Sequence, residues 1–331
     1  MYNHTLRNQI VTGSWTLPVI ACLALVLWML PDVTSVSLWG GLALTGAVTY
    51  VVMEINNRFQ LLRIRSRMMS STYLFLTLLC PLLHTWHPHM LALLCYALAY
   101  ALLFASYQQT HPEGYVFHTF LLLGMGSLLF PPLLVAGVGY WVSMLFQLRV
   151  MSWRSFAASL LGVLTPFWLW TVWLLWHGDV GSLPALFMQA WPAWPPAYFS
   201  LTLPQLVTVG TIAFYLLLAF IYLCRNAYND KIRTRMLIYV IVTQQVLLLA
   251  GMLLLPQAVH TQFRLFLLNS SLLIAHHMSL ARGRLFDLWF YLSLLLLVAL
   301  GVFNYLCHAG WLPHIVSCHP LQGITLCLPS C

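Results

Sequence analysis

Three charged residues set the chemistry that this chain can attempt: Arg264 in VHTQFRLFLLNSS, Asp32 in PDVTSV and Asp179 in HGDV. A guanidinium offers a planar fork that suits a diphosphate or a carboxylate, and a carboxylate held near it can act as a base. On that chemistry Arg264 is the candidate substrate-binding residue, and Asp32 and Asp179 are the candidate catalytic groups. The plainer reading pairs Arg264 with one of the two aspartates, or lets it snorkel to water from a helix end. In a helix Arg264 shares a stripe with His260 and Ser271. The same segment carries Asn269, Ser270, His276 and His277, and the apolar run before it carries Thr243, Gln244 and Gln245. Polar groups at that depth cost free energy unless they find partners, so both segments are expected to face other helices. Gln244, Gln245 and Asn269 join Arg264 as candidate substrate-binding residues.

Other clusters have weaker chemistry. HTWHPH holds His84, His87 and His89, a potential metal or proton-transfer group. No acid or cysteine lies near it in sequence, which predicts an exposed loop of histidines. Trp191, Trp194 and Tyr198 alternate with prolines in MQAWPAWPPAYF. Rings of that density suit a membrane interface, or a lip that admits a lipid-linked substrate. Four of the eight cysteines, Cys307, Cys318, Cys327 and Cys331, crowd the C-terminal segment and are disulfide candidates, with the pairing open. A metal site using Cys318 with His308, His314 or His319 matches no zinc spacing. No metal or cofactor is expected.

The elements that must position these residues follow from composition. Hydrophobic residues make up 61% of the 331 and charged residues only 6%, with a mean hydropathy of +0.86. A soluble domain is about a quarter charged. The apolar runs recur along the whole chain without an alternation of period two, so the expectation is an all-α polytopic transmembrane helix bundle and not a barrel. Spans are predicted near residues 15–30, 37–53, 70–83, 90–107, 115–129, 131–146, 156–176, 205–224, 236–255, 262–280 and 286–306. That is about eleven, or about nine if the short pair flanking Phe130-Pro131-Pro132 enters and returns without crossing, since a straight span wants roughly 20 residues. The first run lacks a small-residue cleavage site and reads as a span, not a signal peptide. Pro81 and Pro166 are expected to kink their helices. Residues 1–306 form the bundle, and residues 307–331 form a cysteine-containing tail.

Charge gives the orientation. Of the fourteen Lys and Arg residues, all but Arg264 fall on one side of these spans. By the positive-inside rule that side is cytoplasmic, which puts the N-terminus inside and the tail in the periplasm. The formal charge of +8 is then a topology signal and a possible attraction for lipid headgroups, not a nucleic-acid footprint. Of the six acidic residues, Glu54, Glu113, Asp230 and Asp287 lie at the cytoplasmic boundary and Asp32 and Asp179 outside, so none supplies the mid-membrane carboxylate of a coupled pump.

The stretches INNRFQLLRIRSRMMSSTYLFLTLLCPLLH and GMGSLLFPPLLVAGVGYWVSMLFQLRVMSWRSFAASLLGVLTPF, with YNDKIRTRMLIYVI and the last span, resemble an uncharacterised family of multi-pass inner-membrane proteins of Bacteroidota. The resemblance runs from about residue 50 to 305 and omits the cysteine-rich tail. It implies a Gram-negative inner membrane with a periplasmic outer face, and no activity.

Three functions fit these readings. The shortage of acids and nucleophiles favours a non-catalytic membrane subunit or envelope-assembly factor, with membrane lipids and other inner-membrane proteins as partners. A periplasm-facing glycosyltransferase or polymerase would use a polyprenyl-diphosphate-linked sugar, with Arg264 on the diphosphate. A facilitator or flippase for an amphipathic anion would use Gln244, Gln245 and Asn269.

Overall fold

The computed structural model describes residues 6–64, 66–178, 203–254, 259–281 and 283–308, with only the backbone at Leu6, Val259, His260, Arg284 and Leu285. Among them there is no strand. The helices are α1 (Leu6–Thr12), α2 (Thr16–Met29), α3 (Val36–Phe59), α4 (Met68–Leu78), α5 (His89–Ala105), α6 (Glu113–Leu129), α7 (Leu134–Phe146), α8 (Trp153–His177), α9 (Leu203–Asn226), α10 (Ile232–Leu254), α11 (Val259–Leu280) and α12 (Arg284–His308). Each expected apolar run coincides with one of them, and α1 is an addition. Five are long and apolar enough to cross a bilayer: α3, α8, α9 with its 3-10 extension to Asn229, α10, and α12 from Phe286. The chain is an all-helical membrane protein.

Neighbours are set by apolar faces and small residues. Helices α8, α6, α5 and α3 pack side by side in that order, and α7, α10, α11, α4 and α2 form a second row. Helix α11 touches α4, α5, α9 and α10, so it runs through the middle of the bundle although it is more polar than its neighbours. The closest approach is α6 against α8. A Cβ on Gly162 would lie 2.5 Å from the Phe117 carbonyl oxygen, and one on Gly124 would lie 2.9 Å from that of Val163. Backbones meet at that distance only where the residue facing the other helix has no side chain. The far face of α8 is a wall of exposed rings, including Trp168, Trp173 and Trp176, and α12 exposes Leu288, Leu292 and Leu295. Apolar faces of this extent need lipid.

The two prolines behave differently. Pro166 sits inside an unbroken α8. Pro81 does not kink a helix: α4 ends at Leu78, only 11 residues long, and a 3-10 turn at Pro81–Leu83 follows. At 1.5 Å per residue α4 rises about 16 Å, roughly half a bilayer core. A second 3-10 turn, Pro131–Leu133, makes the expected hairpin between α6 and α7.

The connections bearing most of the basic residues gather at one end, called the basic end here. There Arg7 bonds Asp287, Arg63 bonds Asp230, and the Thr234 hydroxyl donates to the Gln60 carbonyl at 3.3 Å. The broken end of α4 faces the other way, beside Trp86, whose amide donates to Ser37.

Candidate functional site

The early stop of α4 creates the problem that the candidate residues solve. A helix ending inside an apolar bundle leaves backbone carbonyls without partners, and each costs several kcal/mol in hydrocarbon. Here side chains from α11 and α12 reach them. The Tyr305 hydroxyl donates to the Leu78 carbonyl at 3.3 Å, and Asn304 Nδ2 donates to that of Leu79 at 2.9 Å and to the Thr208 hydroxyl at 2.9 Å. Arg264 Nη1 donates to the Leu83 carbonyl at 2.9 Å and Nη2 to that of Thr85 at 3.4 Å. Arg264 is thus a cap on the turn and loop that follow the broken helix. Its fork meets backbone oxygens, and among the described residues it has no carboxylate partner. The space beside it, walled by Tyr73, Thr77 and Met90, is about 10 Å³, no more than one water needs.

The neighbouring candidates lie apart from it. Asp32 is exposed, and its Oδ1 accepts from the Thr34 hydroxyl at 2.7 Å and the Thr34 amide at 2.9 Å. Those two bonds hold its carboxyl below the ordinary value of 3.8. Asp179 lies outside the described residues, as do Trp191, Trp194, Tyr198, Cys318, Cys327 and Cys331. Cys307 is buried at the end of α12. The histidines do not form a uniformly exposed loop. His84 is buried and stacks on Trp28 with ring centroids 3.8 Å apart, while His87 and His89 tilt against each other at 4.3 Å. Burial pushes the His84 imidazole down to about 4. Among the described residues no three His, Cys, Asp or Glu side chains converge as metal ligands.

At mid-depth α10 and α11 are clasped through their polar side chains. Asn269 Nδ2 donates to Gln245 Oε1 and to the Ile241 carbonyl, both at 2.9 Å, and its Oδ1 accepts from the Tyr100 hydroxyl at 2.6 Å. Gln245 Nε2 donates to the Ser270 hydroxyl at 3.1 Å, and Gln244 Nε2 to the Ala136 carbonyl at 3.1 Å. Asn269, Ser270 and Gln244 are fully buried. The space beside Gln244 is again about 10 Å³. Sequence reading missed the third partner of this clasp, α5, where Tyr96 and Tyr100 stack edge-on next to Tyr140. The signal was the four-residue spacing in CYALAY, which puts both hydroxyls on one helix face.

It also missed a charge cluster at the basic end. Asp230, almost wholly buried, accepts from Arg63 Nε and lies 3.5 Å from His276 Nε2. Burial works to raise its pKa, but the bonds and charges of His276 and Arg63 win and hold it below 3.8. A second knot ties Arg7 to Asp287 at 2.8 Å and to the carbonyls of Met278 and Ala281, so the N-terminal helix is locked over the end of α11. A polar cavity of about 280 Å³, lined by Arg63, Asn226 and Asn229, adjoins the first cluster.

No family model, curated protein or solved structure matches the chain.

Proposed function

We propose that the chain is a non-catalytic, multi-pass subunit or assembly factor of a bacterial inner membrane. Its N-terminus is in the cytoplasm, its tail is in the periplasm and it has about eleven spans. The gathering of basic connections at one end of the bundle supports the orientation. The observation that carries the functional reading is the fate of the mid-depth polar groups. Arg264 is used on carbonyls of the chain itself, and Asn269 and Gln245 are used on each other and on Tyr100, Ile241 and Ser270. A transferase needs a free guanidinium beside a carboxylate, and a carrier needs a water-filled path past Gln244 and Asn269. The volumes at these places hold about one water each. A membrane subunit needs what is present: a rigid bundle with broad apolar faces for other membrane helices.

The test is reconstitution of the full chain in proteoliposomes with a polyprenyl-diphosphate-linked sugar and an acceptor. No transfer is expected, nor any flux of an amphipathic anion, and native mass spectrometry of mild membrane extracts should find the chain in a stoichiometric complex with another membrane protein. Turnover that disappears in Asp32→Asn or Arg264→Gln would replace this reading with the glycosyltransferase, and flux abolished by Asn269→Leu would replace it with the facilitator.

A further inference from the structure

A large cavity in the described structure lies at the basic end, away from every residue discussed as a catalytic or transport candidate. It measures about 1220 Å³, against roughly 300–1,000 Å³ for a site that takes a drug-sized molecule. It is framed by the α5–α6 connection, the α7–α8 connection and the first turns of α10, and Arg149 and Arg154 line it. Neither arginine has a carboxylate partner among the described residues. The one acid in the wall, Glu113, is 4.0 Å from His111. The cavity is therefore a basic one with two uncommitted guanidinium forks.

Its other features narrow the ligand. Helix α8 starts at the cavity, where the Ser152 hydroxyl caps the Ser155 amide, so the positive end of a 25-residue helix adds to the arginines. The mouth is apolar: Trp153 is 82% exposed and Phe146 67%, at the facing ends of α8 and α7. Two residues of its wall, Gln108 and Arg149, adopt left-handed backbone angles, φ 61° and 55°, which non-glycine residues hold only when their surroundings fix them.

We infer that this cavity is a binding site for an anionic phospholipid of the cytoplasmic leaflet, with the phosphodiester on Arg149 and Arg154 and the acyl chains leaving past Trp153 and Phe146. A phosphate bound by two guanidinium groups is shared chemistry with a soluble phosphate ester. The apolar mouth decides for the lipid, because a soluble ester gains nothing from rings turned toward the bilayer. The inference rests on the orientation proposed above, and the experiment separates the two.

The full chain is purified in neutral detergent and exchanged into nanodiscs of phosphatidylcholine with a minor fraction of phosphatidylglycerol. Native mass spectrometry should find about one phosphatidylglycerol retained per chain, far above its share of the lipid. Arg149→Ala with Arg154→Ala should cut that retention about tenfold. Because the double variant can fail on folding alone, a photoactivatable phosphatidylglycerol is used on the unsubstituted chain, and it should crosslink within residues 146–154. Crosslinks placed elsewhere, or retention no higher than the lipid ratio, overturn the site. So does glycerol phosphate raising the thermal midpoint as much as phosphatidylglycerol does, since the ligand is then soluble. Orientation is read independently with Arg154→Cys: new labelling by a membrane-impermeant thiol reagent in lysed cells but not intact ones is expected. Labelling in intact cells overturns the orientation and leaves the lipid retention to judge the site by itself.

Discussion

The two ends of this bundle treat the same side chain, arginine, in opposite ways. At the end where α4 breaks, the one arginine is consumed by the fold: Arg264 holds the carbonyls of Leu83 and Thr85, and the space around it is closed. At the basic end arginines serve both purposes. Arg7 and Arg63 are fixed to Asp287 and Asp230, while Arg149 and Arg154 line an open cavity with no acid of their own. The difference teaches that a charge in an unexpected place is not by that fact a functional site. What matters is whether the backbone around it has unmet needs. Pro81 stops a helix inside the bundle, and the arginine answers that stop; no such demand exists around Arg149.

Substitutions at the two ends sharpen the contrast. The largest effect is expected from Asp230→Ala, which takes the buried carboxylate from Arg63 and His276; breaking a fully buried pair costs about 3–5 kcal/mol, and because the Arg63 side chain is 36% exposed the loss here is about 3 kcal/mol. Reversible unfolding in mixed micelles, followed by tryptophan emission, measures it. Arg264→Leu comes next. It leaves the part-buried Leu83 carbonyl, in the turn after α4, unpaired, and a hydrogen bond to a charged donor is worth about 1.5–3 kcal/mol; the exposed Thr85 carbonyl turns to water. If Arg264→Leu instead kept full stability and lost a membrane-linked activity, the cap reading would be wrong. Asn269→Leu deletes three bonds of the mid-depth clasp, for about 2 kcal/mol at the modest value per bond found within membranes.

Acid separates the ends by pH. His84 is buried neutral, so the unfolded chain binds a proton that the folded chain refuses between the ordinary 6.5 and about 4. Its contribution is complete above pH 6.5 and is lost as pH falls toward 4. The Asp230 carboxyl is held below 3.8, so its contribution is intact above that value and is lost only at lower pH. The thermal midpoint against pH should therefore fall in two stages. His84→Phe, which keeps a ring against Trp28, should shrink the first, to which His89, also lowered to about 4 by burial, contributes the rest, and Asp230→Asn should remove the second. The smallest effect is expected from Asp32→Asn: its side chain is exposed and bonds only Thr34, so the midpoint should not move. A large shift there would mean that Asp32 meets something in the assembled membrane that gives it a further role.

Much of this architecture was legible before any coordinates. Apolar runs of helical length, separated by Pro, Gly and charged turns, dictate helices because lipid leaves backbone groups no other way to be satisfied. The polar stripe of α10 and α11 likewise announced that those helices face inward, and Asn269 and Gln245 do. The partners were not legible. Pairing with an aspartate, snorkelling and gripping an anion were all open for Arg264 in sequence, and none of them names the carbonyl 181 residues away that it bonds. Asp230 and Arg63 are 167 residues apart and read as separate loop charges. Sequence alone determined which segments are helical and which residues could not face lipid, since both follow from local composition and the solvent. Only the tertiary structure decided what each polar group meets and where space remains. Those depend on which helix ends arrive side by side, and on a proline that ended α4 early where its pattern allowed a longer, kinked helix.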